Sequence, residues 1–281
     1  MRAGRASHQA GLTALTTFKL TLAYDGTDFV GWQRQASGRS VQALLEETLS
    51  RIEAAPVTVI GAGRTDAGVH ALGQVASVQL TRAIEAPELR RALNATLPPD
   101  VRALAVETAP DGFNARYAAH SKSYRYHIIA DEVISPFERR FAWHVPGALD
   151  SAAMRRAAER IKGRHDFSAF QSTGSQVAST VREITFSQLN ASPITETGLD
   201  IIYDVRGEGF LRHMIRAVVG TLVEIGAGRL KADAVDQILA SRDRRNAGPT
   251  APARGLFLVA IYYDGREPPV PTDDDPDEEL A

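Results

Sequence analysis

Phe18, Leu20, Leu22 and Tyr24 alternate with Lys19, Thr21 and Ala23, the period-two pattern of a strand with one buried face. After the turn-rich Asp25-Gly26-Thr27, Ser40 is placed to cap a helix carrying Val41, Leu44, Leu45, Leu49 and Ile52 at helical spacing. Short strands are predicted over residues 57–60 and 74–80. Pro87 suits the first turn of a helix holding Leu89, Ala92 and Leu93, and residues 101–106 close this half as a strand. The order is β-α-β-β-α-β.

The second half repeats it. Tyr124, Tyr126 and Ile128 alternate with Arg125 and His127. A helix from about Ser151 carries Met154, Ala158 and Ile161, with Gly163 as its stop. Strands are predicted over 181–189 and 199–205, a long helix over 210–225, and an extra helix near 232–239. Residues 256–263 form a final strand, apolar on both faces and so expected to be central. This order is that of the ferredoxin-like, split β-α-β arrangement. The predicted fold class is therefore α+β. It has two ferredoxin-like halves, each an antiparallel sheet with helices on one face, and a central cleft between the open faces. RNA-recognition folds share that design. The duplication rests on element order, since the halves share no residue-level repeat.

A length of 281 residues and a hydrophobic fraction of 44% suffice for a sizeable core and two domains. The expected division is a leader at 1–16, domains at 17–110 and 111–265, and a disordered acidic tail at 266–281. Residues 271–281 hold six acids and no base, a block that repels itself. Lys plus Arg is 32 against 34 for Asp plus Glu, a net charge of -2 that argues against a chain basic all over. With Arg2, Arg5 and those six acids set aside, 30 bases face 28 acids, which leaves room for a local basic cleft. There is no cysteine, which excludes disulfides, thiolate metal sites and cysteine nucleophiles. The apolar runs are too short to span a bilayer, and the leader is too polar for a signal-peptide core, so a soluble cytoplasmic protein is expected.

The most informative segment is Gly61-Ala-Gly-Arg-Thr-Asp-Ala-Gly-Val-His-Ala71. A dinucleotide fingerprint fails because Asp66 stands at its third glycine, and a phosphate loop fails because Val69-His70 replaces the lysine and hydroxyl. What remains is one carboxylate, Asp66, beside Arg64 on a tight loop. In the blander reading Asp66 caps a turn. Other segments weigh against it. Residues 121–126, Ser-Lys-Ser-Tyr-Arg-Tyr, interleave aromatics with cations, as nucleotide stacking and phosphate binding require. Arg212 and Arg216, four apart, share a helix face. Arg216 lies among Met214, Ile215, Val218 and Val219, where it either meets a carboxylate or snorkels to solvent.

Gly63-Arg-Thr-Asp-Ala-Gly-Val-His70 resembles the catalytic loop of the tRNA pseudouridine synthase A family. Tyr24-Asp-Gly, Gly31-Trp-Gln-Arg-Gln35, Asn94-Ala-Thr-Leu-Pro98, Phe113-Asn-Ala-Arg-Tyr117 and Lys122-Ser-Tyr-Arg-Tyr126 continue the likeness in order. So do Asp166-Phe-Ser-Ala-Phe170, Phe210-Leu-Arg-His-Met-Ile-Arg216 and Gly255-Leu-Phe-Leu-Val259. The sequence departs from the family at Ala217, usually Asn. The resemblance implies the pseudouridine synthase fold, a homodimer, and no metal or organic cofactor. The implied reaction is isomerisation of uridine at positions 38, 39 and 40 of the tRNA anticodon stem-loop. Asp66 would be the essential carboxylate. Arg64 would hold the flipped nucleotide, Tyr124 would stack on uracil, and Arg216 would pair with Asp66 and keep it ionised. Arg116, Lys122, Arg125, Arg206 and Arg212 fall in or beside the motifs as candidate RNA-binding cations. Tyr126 reads as core, and His70 and His213 read first as hydrogen-bonded structural groups. Two other readings stay open: an RNA-binding module without catalysis, and a glycoside hydrolase, which needs a second carboxylate for which Asp25 is the nearest candidate.

Overall fold

The computed structural model describes residues 15–172, 174 and 177–264. The expected acidic tail and the leader up to residue 14 lie outside them. Strand β1 (Thr16–Tyr24) begins inside the expected leader and buries Phe18, Leu20, Leu22 and Tyr24, as its alternation dictates. Helix α1 (Val41–Glu53) is capped by Ser40, whose hydroxyl accepts the Ala43 N–H. Then come β2 (Ile60–Gly61), β3 (His70–Leu80), α2 (Ala86–Thr96) with Pro87 in its first turn, and β4 (Val101–Thr108). The second half runs through β5 (Ser121–Ala130), β6 (Trp143–Val145), α3 (Ser151–Glu159), β7 (Gly163–Asp166), β8 (Val181–Pro193) and β9 (Leu199–Gly207). It closes with α4 (Met214–Gly226), α5 (Ala234–Ser241) and β10 (Leu256–Tyr262).

Three local expectations change, each for a physical reason. The strand predicted at 57–60 shrinks to β2, because side chains of α1 take its backbone donors. The Val57 N–H goes to Ser50 Oγ and the Val59 N–H to Glu46 Oε1. Gly163 does not stop α3, which ends four residues earlier. It opens β7 at φ +113, a conformation glycine adopts at no steric cost. The helix predicted from 210 starts at Met214, because His213 at φ 61 is left-handed and cannot continue a right-handed helix.

The two separate antiparallel sheets expected are joined. All ten strands form one mixed sheet, ordered β4-β1-β3-β10-β5-β9-β8-β7, with β2 on β3 and β6 on β5. The seam is β10, central as its two apolar faces imply. It runs antiparallel to β5 and parallel to the start of β3, pairing Phe257 with His70 and Leu258 with Ala71. Further along the same edge of β3, Ile60 and Gly61 of β2 pair with Ser77 and Ala76. An open β3 edge would leave its N–H and C=O groups unpaired, and sharing it between β2 and β10 removes that cost. The chain from 62 to 69 therefore emerges where the edge passes from one partner to the other.

One continuous apolar core runs through both halves. Leu45 and Leu49 of α1 and Leu89 and Leu93 of α2 are fully buried in it, with α2 packed against β4, each leucine contributing about 1.5–3 kcal/mol. Helix α4 is buried almost all round, packed against α3, and so holds its first turn firmly at the cleft.

Candidate active site

Loop 62–69 is held at nearly every residue. The Ala62 N–H donates to Val75 O at 2.8 Å and Ala62 O accepts from Lys122 Nζ at 2.8 Å. Gln74 Nε2 donates to Gly63 O at 2.9 Å. The Thr65 hydroxyl meets the Tyr24 hydroxyl at 2.8 Å, and Thr65 O accepts the Trp32 N–H at 3.1 Å. Gly31, at φ +109, lies so close that a Cβ there would come within 2.5 Å of Thr65 O. The loop then turns through Asp66–Val69, closed by the Val69 N–H on Asp66 O at 3.1 Å. Gly68 at φ +75 occupies the third position, as a type II turn requires. Burial pushes the Tyr24 phenol up to about 12, so it stays a neutral hydrogen-bonding group.

The turn closes through backbone, which frees the Asp66 side chain. Its Oδ2 lies 3.3 Å from Arg216 Nη1 and 3.4 Å from His213 Nε2. Arg216, on the first turn of α4, donates Nε to Ala251 O at 2.7 Å, and the Ala251 N–H returns to Arg216 O at 3.0 Å. The guanidinium is thus fixed by backbone before it meets the carboxylate. It is 16% exposed against 31% for Asp66, so the cation is packed and the acid opens to the cleft. Of the two alternatives open for Arg216, the carboxylate-paired one is the geometry found.

His213 stands between Asp66 and Ser172, whose Oγ meets its Nδ1. Burial first, then the guanidiniums of Arg216, Arg212 and Arg244, hold its pKa below the usual histidine value, against the opposing pull of Asp66. Its left-handed backbone costs about 1–3 kcal/mol in a residue with a Cβ. From the sequence His213 read first as a hydrogen-bonded structural group, and the structure places it against Asp66. Its three-residue spacing from Arg216 was the available signal.

These groups face a cleft of about 1280 Å³ that also takes in Arg64, Arg116, Tyr124, Phe210 and Arg212. Tyr124 is 8% exposed and packs edge-on against Phe210, with ring centroids 5.1 Å apart. Burial, with Tyr24 and Asp66 adding to it, pushes its phenol well up. Arg64, Arg116 and Arg212 are exposed, whereas Lys122 is spent on the loop. Burial and neighbouring Arg116 lower the pKa of Lys122. Arg125 is not part of the cleft. Alternation turns it to the opposite sheet face, where it makes a two-pronged pair with Asp204 on β9 at 2.9 and 3.0 Å. Arg206 is likewise diverted, buried against the rings of Phe186 and Tyr262. Tyr126 is core and donates to Pro252 O. Asp25 caps its own turn through Thr27, so among the described residues Asp66 is the one acid lining the cleft.

Residues 21–118 and 157–264 match the family model described as tRNA pseudouridine synthase. The tRNA pseudouridine synthase A of Moorella thermoacetica is 48% identical over 248 residues, covering 87% of this chain and 98% of that protein. That of Myxococcus xanthus is 45% identical over 265 residues, covering 92% and 98%. That of Geobacter sulfurreducens is 43% identical over 249 residues, covering 89% and 100%. The class so defined is pseudouridine synthase, an isomerase. The chain belongs to the tRNA pseudouridine synthase A family.

Proposed function

We propose that this protein isomerises uridine to pseudouridine at positions 38, 39 and 40 of the tRNA anticodon stem-loop, as a cytoplasmic homodimer without metal or organic cofactor. The observation that carries the reading is the placement of Asp66: a single acid on a pinned loop, held at 3.3 Å by Arg216, in a cleft that also presents Arg64, Arg116, Arg212, Tyr124 and Phe210.

In the reaction the bond from ribose C1′ to N1 breaks and one from C1′ to C5 forms. C5 loses a proton and N1 gains one. Asp66 serves at the ribose, as nucleophile on C1′ or as base on a ribose proton; both roles use the same half-buried carboxylate. A paired base is out of reach, so it must be flipped at a cost of a few kcal/mol. Arg64, two residues from Asp66 and exposed, fills the gap, and Tyr124 offers a flat face to the uracil while the base turns. Arg212 and Arg116 hold phosphates. Lys122 supports the site through Ala62 O rather than touching RNA. The strand orders β4-β1-β3-β2 and β10-β5-β9-β8 favour two ferredoxin-like halves, over 17–110 and 111–265, that clasp the stem-loop.

The test is incubation with unmodified tRNA followed by carbodiimide-dependent primer extension. Stops on the 3′ side of the anticodon stem-loop, lost in Asp66→Asn while tRNA binding persists, support the reading. Binding without any modification leaves the RNA-binding module.

A further inference from the structure

We infer that His213 is a positioning residue, a neutral imidazole that fixes one oxygen of Asp66 and leaves the other to the substrate. The inference rests on the reading of Asp66 as the reacting group.

His213 sits at φ 61 and ψ 5, immediately before α4. At such a position a side chain usually caps the helix, but this imidazole makes no capping bond. It reaches sideways across the cleft floor. Nδ1 meets the hydroxyl of Ser172, and Nε2 lies 3.4 Å from Asp66 Oδ2. Ser172 is tied to the same segment a second time, its N–H donating to Arg212 O at 3.2 Å. The strained residue is thus fixed from two sides.

The network assigns the tautomer. A carboxylate only accepts, so the nitrogen facing Asp66 carries the hydrogen. Nδ1 is then the acceptor for the Ser172 hydroxyl. The guanidinium of Arg216 approaches the same oxygen, Oδ2, at 3.3 Å. The Arg216 hydrogen bond and the facing imidazole edge, both at one oxygen, restrict rotation of the carboxylate and leave Oδ1 to work on the ribose. Preorganisation of this kind removes a reorientation that would otherwise accompany each turnover.

The charged groups around the ring are Asp66 on one side and Arg216, Arg212 and Arg244 on the other. Burial and the three guanidiniums disfavour the imidazolium. At neutral pH the ring carries no charge and turns its Nε2–H toward Asp66 at 3.4 Å. When it takes up a proton in acid, this neutral contact becomes an ion pair that draws charge from Asp66, and the rate should fall. Because the folded pKa is held down, that acid limb lies below the ordinary histidine value of about 6.5.

Two variants separate positioning from mere packing. In His213→Asn the short amide tolerates the left-handed backbone and can still meet Ser172, but does not reach Asp66. In His213→Gln the amide nitrogen extends to about where Nε2 stands. Single-turnover pseudouridine formation is measured with saturating enzyme from acid to neutral pH, beside tRNA affinity and melting temperature. We expect His213→Asn to lose about a hundredfold in rate, the loss typical of removing one preorganised donor, with unchanged tRNA affinity. His213→Gln should recover to within about tenfold of wild type, and neither variant should show the acid limb. A rate for His213→Asn within about twofold of wild type overturns the inference, as does an acid limb that survives in His213→Gln. If His213→Asn fails to fold, the pH profile of His213→Gln decides alone. If the wild type makes no pseudouridine, the proposed function itself has failed. If the wild type is active, Asp66→Asn is dead and both His213 variants behave as wild type, only the positioning role has failed.

Discussion

The Tyr24 hydroxyl and the Thr65 hydroxyl meet at 2.8 Å, which ties the end of β1 to the residue just before Asp66. Both groups are buried, and Gln74 reaches the same phenol at 3.5 Å while holding Gly63 O at 2.9 Å. Loop position is thus set by strand position. Tyr24→Phe leaves the Thr65 hydroxyl unpartnered and should cost about 1–3 kcal/mol of stability, read by chemical denaturation. The rate on tRNA should fall while affinity stays, since the loop and not the RNA surface loses a contact.

Arg216 performs two tasks with different nitrogens, Nε on Ala251 O and Nη1 on Asp66. Arg216→Met removes both and should lower kcat by about a hundredfold or more. Arg216→Lys should rescue little, because an ammonium lacks the planar fork that serves two acceptors in fixed directions. Steady-state kinetics on a tRNA transcript check both. A lysine variant with near wild-type kcat would contradict the two-point role.

Much of this arrangement was legible in the chain, for identifiable reasons. Alternation in β1, the Ser40 cap and Pro87 in α2 are local signals, and local structure obeyed them. The Gly-rich run advertised Asp66 because its residue types fit no phosphate loop. What escaped was decided across long separations. Residues 57–59 lost their strand to side chains of α1, and Arg125 found Asp204 on a neighbouring strand. The parallel docking of β10 on β3 joins residues nearly two hundred apart, and no periodicity encodes it. The break before α4 escaped because a left-handed residue leaves no mark in the hydrophobic pattern, so His213 read as a structural group within one helix over 210–225.

Gly61 presses against Trp32. A Cβ on Gly61 would come within 2.4 Å of the indole ring, which is 2% exposed and has no room to retreat. Gly61→Ala should therefore destabilise the fold by about 1–3 kcal/mol and displace the loop that begins one residue later. Gly209→Ala is the comparison. Its Cβ meets only Arg182, at 3.8 Å, and its melting temperature should stay at the wild-type value.

Arg64, Arg116 and Arg212 are exposed cations lining the cleft of a chain whose net charge is only -2. RNA affinity should depend on these side chains rather than on overall charge. Tighter binding at low salt is expected, and Arg212→Gln should reduce the slope of log Kd against log salt by about 0.7–0.9, one phosphate contact. Filter binding over a salt series measures it. An unchanged slope would place Arg212 off the backbone path.

His70 makes stability depend on pH. Its ring is 1% exposed, stacked on Phe257 and edged by Phe141, with the Gly26 N–H on Nδ1 and the carbonyls of Arg140 and Arg254 both 3.1 Å from Nε2. Nδ1 accepts from the Gly26 N–H, so the neutral ring carries its hydrogen on Nε2 facing the two carbonyls, with Asp25 Oδ1 3.2 Å from Nδ1. Burial leads in holding the pKa below the usual value. Asp25 and the two carbonyls pull the other way, and Arg140 adds to the lowering. In the unfolded chain His70 takes up its proton near pH 6.5, and in the folded chain only at lower pH. The unfolded state therefore binds more protons in that window. Stability is complete above it and is lost as pH falls through it. Urea denaturation at mildly alkaline and mildly acidic pH should show this fall. His70→Gln, weaker throughout for want of the stacked ring, should show a smaller fall, with the remainder due to His213, whose pKa is also held down.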